Sequence, residues 1–476
     1  MRTKHLIPNH AAGLTYAGAY VPRDDYGSGS GAGDGGGRDP FEGFPEEVLG
    51  LIVSKLPFRS AVSASAVSRR WRGALAAAPA LDLDFAAAFP AAPRRRAAFA
   101  AAASAALSGS APLRRLRLAL DGLFDQAFAA AAAGHLASWL ATAAARGVER
   151  LELHLPRSRF AVLPPSLLAC TSLTSLTLRL DHYAVPLPSL TSLTRLSRLH
   201  LAAVSLTGNG GFFDDLFSYC AQLRDLILEQ CHIGALRLAG PSRLCSLAIK
   251  DCSWTQESSV AASEMPELRI LRYSGAMASR HTINLGISLD EALLAIEKPQ
   301  VRPQEATLRD LIDSVGNVRS LLLSPWCIEQ FARPDEWSKV KLDKVRRLTC
   351  IIERREESAL AVAPLLTNCP NVEELSVSVV PTQCKRRRCS GDGECHRVVG
   401  RKGATMKHLR GVRMEYIDES RSGFELVKVL LKNSPTLEIM TIVPSMDGLE
   451  QAKFRRRVLK LRKTSQNVSI QFSTTG

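Results

Sequence analysis

At 476 residues, 46% hydrophobic and 22% charged, the chain is longer than a single core usually serves, and its composition argues against global disorder. No uncharged apolar run of about eighteen residues occurs and residues 1–20 lack an apolar secretory stretch, so neither membrane insertion nor secretion is expected. The eleven cysteines are then expected as free thiols, and the net charge of +15, partly gathered at 94–96, 385–388 and 453–463, as solvated faces without base-stacking aromatics between them.

Residues 1–38 form a leader whose stretch 24–38 is rich in Gly and Ser and buries too little apolar surface to order. Gly31, Gly33 and Gly36 give a GxGxxG spacing, but no strand precedes it and no apolar helix face follows, so nucleotide binding is not expected. From Phe41 the pattern changes. Pro45 suits a first helical turn, Glu46 and Glu47 sit where the helix dipole favours acid, and Val48, Leu51, Ile52 and Leu56 make one apolar stripe that Pro57 stops. A second amphipathic segment follows from about Arg59, with Val62, Ala66, Val67 and Trp71 apolar and Arg69, Arg70 and Arg72 basic. Two or three short helices in so short a stretch hold little core of their own, so some of these apolar positions are expected to meet a partner.

The combination of Phe44-Pro45, Ile52, Leu56-Pro57, Val67-Ser68 and Trp71 resembles an F-box, here placed at 39–80. The resemblance implies a three-helix unit that docks on a Skp-type adaptor, and through it on a cullin, by Phe44, Pro45, Val48, Ile52, Leu56, Pro57, Val67 and Trp71. The second helix, SAVSASAVS, carries smaller residues than the family usually does.

Alanine, the strongest helix former, dominates 85–111 and 127–145, which predicts a helical linker over 81–110 and a second helix ending at Arg146 and Gly147. Behind the linker an apolar-x-x-apolar-x-apolar pattern begins at Leu113, Val148, Leu173, Leu196, Leu223 and Leu244, and again at Leu268, Val318, Val345, Val372, Leu409 and Leu437. Most gaps match the 20–29-residue period of leucine-rich repeats, and the double-length gap after Leu268 predicts one degenerate copy. The expected fold class is therefore α/β: F-box helices, then a leucine-rich-repeat solenoid over 111–404 with parallel strands and helical or irregular returns.

Cys231 and Cys252 fall three residues past the last apolar strand position, and Cys170, Cys220 and Cys369 three residues before the first. Recurrence in phase predicts buried structural thiols. Cys384, Cys389, Cys395 and His396 break the phase inside a basic insertion; without paired knuckle spacings they are read as an exposed loop and not as a metal site. Residues 405–476 predict strand, helix, strand, helix, strand, continuing the solenoid. Gly423 to Val427, with Leu430, Leu431, Asn433, Ser434, Leu437 and Met440, resemble the FBD module of plant F-box proteins.

No nucleophile elbow, Walker loop, HExxH or kinase signature occurs, so neither catalysis nor a cofactor is expected. The resemblance implies a cytoplasmic or nuclear receptor subunit of a Skp-cullin-F-box ubiquitin ligase, acting by proximity on a client protein held by the solenoid. Outward strand positions are the client-binding candidates: Arg224, Asp225, Ile227, Arg319, Glu373 and Glu374. The alternative is a basic repeat scaffold that binds nucleic acid or acidic partners without ubiquitin transfer; nucleic acid is the less expected partner.

Overall fold

The computed structural model describes residues 41–473 apart from 42, 89–94, 122, 124–128, 156–162, 184–186, 208–210, 239–242, 264, 285–288, 300–304, 334–336, 338, 355, 381–404, 418–420 and 446–447. The Gly-rich leader and the insertion carrying Cys384, Cys389, Cys395 and His396 lie outside the described residues. Two compact units divide the chain, Met1–Phe44 and Pro45–Gly476.

The second unit opens with α1 (Glu46–Val53), α2 (Phe58–Val67) and α3 (Arg69–Ala76). Pro45 and Pro57 precede α1 and α2 in extended conformation, and Ser68 caps α3 by accepting the Arg70 amide at 3.2 Å. The second amphipathic segment is thus two helices broken at Ser68.

The sheet begins earlier than the sequence pattern indicates. Within the expected helical linker, β1 (Ala80–Asp84) pairs in parallel with β2 (Arg115–Ala119), and α4 (Phe85–Ala88) and α5 (Arg96–Leu107) lie between them. Leu81 and Leu83 already occupy the two inward rows that Leu116 and Leu118 continue. α6 (Ala129–Ala145) leads to β3 (Arg150–His154), and the solenoid then steps through β4 (Ser175–Tyr183), β5 (Arg198–Leu206), β6 (Asp225–Glu229), β8 (Ser246–Ser263) and β9 (Ile270–Gly275). It continues in parallel through β11 (Glu291–Ile296), β12 (Ser320–Leu323), β13 (Arg347–Glu353), β14 (Glu374–Val380), β15 (Gly411–Ile417), β16 (Ile439–Pro444) and β17 (Ser469–Phe472). β11 is the degenerate copy: Leu289, Ala292 and Leu294 fill the inward positions.

One register holds throughout. Leu116 faces Leu151, Leu151 faces Leu176, and the row runs on to Met440 and Ile470; two residues later a second row runs from Leu118 to Ile442 and Phe472. Alternation puts both rows on the inner face, so each repeat is covered by its neighbours. The residue between the rows faces the concave side.

At the end of several strands the chain enters the left-handed region at one repeat position: Ala203 at φ 54°, Gln230 at 54°, Asp251 at 52°, Gly275 at 90° and Tyr416 at 59°. Past the first three, the chain forms a second parallel ladder of β5, β7 (His232–Leu238), β8 and β10 (Arg280–Asn284). Gly275 is required there, because a Cβ would stand 2.9 Å from Asp251 Cα. Among the return segments of the middle repeats are α7 (Phe212–Tyr219), α8 (Glu305–Ser314), α9 (Pro325–Gln330) and α10 (Glu356–Asn368). Over 405–476 the order is β15, α11 (Arg421–Asn433), β16, α12 (Gly448–Leu459), β17, as the pattern predicts.

Candidate interaction surfaces

The three N-terminal helices bury Leu49, Gly50, Val53, Phe58, Ala61, Ala74 and Leu75. Gly50 lets α1 approach α3, since a Cβ there would lie 3.3 Å from the Ala77 carbonyl oxygen. The apolar stripe read from the sequence is the other face of α1. Leu51 is 54% exposed and Val48, Ile52 and Leu56 are half-buried; Val67 at the end of α2 is 87% exposed and Trp71 half-buried. Pro45 and Pro57 are exposed, and so is Phe44, at 44%, with its ring 6.1 Å from that of Phe41. Periodicity finds these residues without telling which face turns inward; Gly50 decides it, because the lack of a side chain there allows the closer helix contact.

The small residues of α2 do not leave it unanchored. Ser63 and Ser65 return their hydroxyls to the carbonyls of Arg59 and Val62, and Phe58 packs edge-on against Phe99 of α5 at 5.6 Å.

Arg146 joins these helices to the solenoid, a role the sequence does not reveal. α6 ends as expected, with Gly147 at φ 69°, but the Arg146 side chain, 6% exposed, reaches away from it. Its guanidinium donates to the carbonyl of Ala76 at 3.0 Å at the end of α3 and of Ala78 at 3.4 Å just past it, of Leu107 at 3.1 Å and Ala106 at 3.4 Å at the end of α5, and of Ala111 at 2.7 Å before β2. Two helix C-termini are thereby satisfied by one cation, which matches their dipoles. Burial lowers the Arg146 pKa from its ordinary value.

The concave face changes character along its length. Near β1 it is a network of charges: Arg117 lies 2.7 Å from Asp82, 3.1 Å from Asp84 and 3.3 Å from Glu152, and His154 lies 3.2 Å from Glu152. The His154 hydrogen bond holds the Glu152 carboxyl below its ordinary value despite opposing desolvation, and His200, 3.3 Å from Glu229, does the same to that residue. From β6 onward the central row becomes Ile227, Ala248, Arg272, Leu293, Leu322, Thr349 and Ser376, where Arg272 meets Glu291 at 3.5 Å.

The client candidates fall on the concave face and the edge where its strands begin. Arg224, Arg319, Glu373 and Glu374 are exposed; Asp225 and Ile227 are half-buried. Two already have partners: Asp225 meets Arg198 at 3.0 Å and Glu373 meets Arg346 at 3.7 Å.

The repeat-phased cysteines are buried, as their spacing predicts. Cys231 donates to the Leu201 carbonyl at 3.3 Å and Cys252 to that of Leu228 at 3.5 Å, each tying a turn to the preceding repeat. Burial pushes the Cys170, Cys220 and Cys327 thiols up to about 11 and Cys350 to about 12, so these thiols are poor nucleophiles near neutral pH. Among the described residues no cluster of His, Cys, Asp and Glu could hold a metal ion, and no helix is long and apolar enough to cross a membrane.

The parallel ladder corresponds to a match of residues 110–470 with the At1g61320/AtMIF1 leucine-rich-repeat domain. The chain belongs to this leucine-rich-repeat family. Residues 41–76 match the F-box domain. Three family relatives from Arabidopsis thaliana carry both names. F-box/LRR-repeat protein At1g06630 is 30% identical over 61% of this chain and 72% of its own length. F-box/LRR-repeat protein At3g59190 is 26% identical over 73% and 94%, and F-box/FBD/LRR-repeat protein At2g26030 is 24% identical over 83% and 89%. The F-box and repeat readings agree with these likenesses; of the three relatives, one carries FBD in its name.

Proposed function

We propose that this family member is a substrate receptor of a Skp-cullin-F-box ubiquitin ligase. The observation that carries the reading is the placement of Leu51, Ile52, Leu56 and Val67 on the outside of helices that Arg146 ties to the solenoid. Apolar side chains on so small a helical unit lose solvent when an adaptor covers them, and a fixed joint holds the client at a constant distance from the attached ligase. Phe44, Pro45, Val48, Pro57 and Trp71 complete the adaptor-binding set.

The chain performs no bond chemistry in this reading; it raises the effective concentration of client lysines near charged ubiquitin. Client contact falls on the concave face from Ile227 onward and on the strand-start edge at Arg224, Arg319 and Glu374. Asp225 and Glu373 contribute through their arginine partners. The functional boundaries are a leader at 1–38, F-box at 39–80, a linker at 81–110 that already carries the first strand of the sheet, repeats at 111–404 and an FBD-like end at 405–476. Its place of work is the cytoplasm, the nucleus or both.

The test is copurification of the full chain with a Skp-type adaptor. Ile52→Asp with Leu56→Asp is expected to abolish capture, whereas Arg224→Ser with Arg319→Ser leaves it intact. Wild-type chain that captures no adaptor at micromolar concentration overturns the reading.

A further inference from the structure

The carboxyl-terminal end of the solenoid holds a concentration of positive charge that the receptor reading does not use. Along α12, Lys453, Arg455, Arg456 and Arg457 are exposed, and Lys460, Arg462 and Lys463 continue the run past its end. No Asp or Glu occurs after Glu450. Thr464 donates its amide to the Leu431 carbonyl at 3.0 Å, which places Lys432 beside Lys463. The neighbouring polar cleft is lined by Lys407, His408, Thr436, Ser465 and Asn467. Of the few carboxylates nearby, Glu438 meets Arg410 at 3.5 Å and Glu425 meets Lys428 at 3.2 Å. Among the described residues Lys453, Arg456, Lys460, Arg462 and Lys463 have no ion-pair partner.

The same end is open. β17 pairs with β16 on one side and with no described strand on the other, and its inward residues Ile470 and Phe472 stay half-buried where their counterparts in earlier repeats are covered. We propose that this end is a docking surface for an extended acidic polypeptide segment, lying along the β17 edge with its carboxylates on the cations of α12 and residues 460–463. An open strand edge offers main-chain hydrogen bonds to a polypeptide, and the surrounding charge selects an acidic one.

Two observations favour this occupant over other anions. The rings that could stack nucleic-acid bases are taken, with Arg455 over Phe472 at 5.2 Å and Arg457 over Phe424 at 4.4 Å. Phe454 and Val458 of α12 are fully buried, and its exposed Leu449 and Leu459 sit at opposite ends of the helix, so no continuous apolar face is left for a lipid surface. The inference does not depend on the receptor reading, and adaptor capture measured in parallel separates the two.

The experiment measures fluorescence anisotropy of a short glutamate-rich peptide with the full chain at physiological salt. The combined variant Arg455→Ser, Arg456→Ser, Lys460→Ser and Arg462→Ser is expected to weaken binding roughly tenfold or more. The equally charged control Arg150→Ser, Arg195→Ser, Arg243→Ser and Arg347→Ser, at exposed arginines of other repeats, should leave it unchanged. Lys432→Ser with Lys463→Ser provides a second variant on another part of the surface, and an unchanged thermal midpoint verifies folding of each. The glutamine counterpart of the peptide should not bind. The proposal is overturned if both fourfold variants weaken binding alike, if the glutamine peptide binds as well, or if single-stranded RNA or anionic vesicles bind more tightly and lose binding with the α12 substitutions.

Discussion

At its amino-terminal end the sheet starts with β1 under three helices, a buried arginine bridges two helix C-termini, and the charges of the concave face neutralise one another around Arg117. At its carboxyl-terminal end β17 leaves Ile470 and Phe472 half-buried beneath a cluster of cations with no carboxylate after Glu450. Both ends terminate the same row of stacked apolar residues, yet one is built to transmit position and the other to remain accessible. A solenoid needs a cover at each end, and the cover can be internal or supplied by a partner.

The largest expected effect lies at the closed end. Arg146→Met leaves three buried and two half-buried carbonyls without their donor and is expected to lower stability by about 3–5 kcal/mol, read from chemical denaturation. Arg146→Lys restores little of it, because one ammonium cannot reproduce the fork. A loss below about 1 kcal/mol for the methionine variant would remove the idea of a rigid joint.

A paired truncation sharpens the contrast. Leu116 and Ile470 occupy the same inward row at opposite ends. Leu116→Ala is expected to cost about 2–5 kcal/mol and Ile470→Ala about 1 kcal/mol or less, because the half-buried residue gives up less covered surface. Equal costs in urea titrations would mean that the carboxyl-terminal end is as closed as the other.

The smallest effect is in acid. Glu152 is held below its ordinary value by His154, so its contribution to stability is complete above the unfolded carboxylate value near 4.3 and is lost as pH falls through the lower folded one. Glu152→Gln should flatten the fall in urea midpoint in that range by less than about 1 kcal/mol, since the pair is partly exposed. No Asp or Glu carboxylate follows Glu450 in the sequence, and removal of the cations there should leave the acid limb unchanged.

The repeats were legible because the apolar period survives even where β11 replaces leucine with alanine at residue 292, and the phased cysteines mark the same turns. β1 was hidden because ALDLD offers only two apolar inward positions after an alanine-rich stretch. The left-handed turns escaped notice because Ala203, Gln230, Asp251 and Tyr416 carry no glycine signal. The F-box residues could be found by periodicity, but their outward direction depends on Gly50 and on contacts with α3 and α5. Arg146 reads locally as a helix-end cation; its partners at Ala76 and Ala78 lie about seventy positions away in the chain, where no local pattern reaches.

The unbroken register makes the solenoid a graduated ruler. Each strand step advances roughly 4.8 Å, and the Arg146 joint fixes the zero mark at the F-box helices. A ligand seated one repeat further along is carried outward by that increment, so gain or loss of a single repeat would reset reach without altering either end.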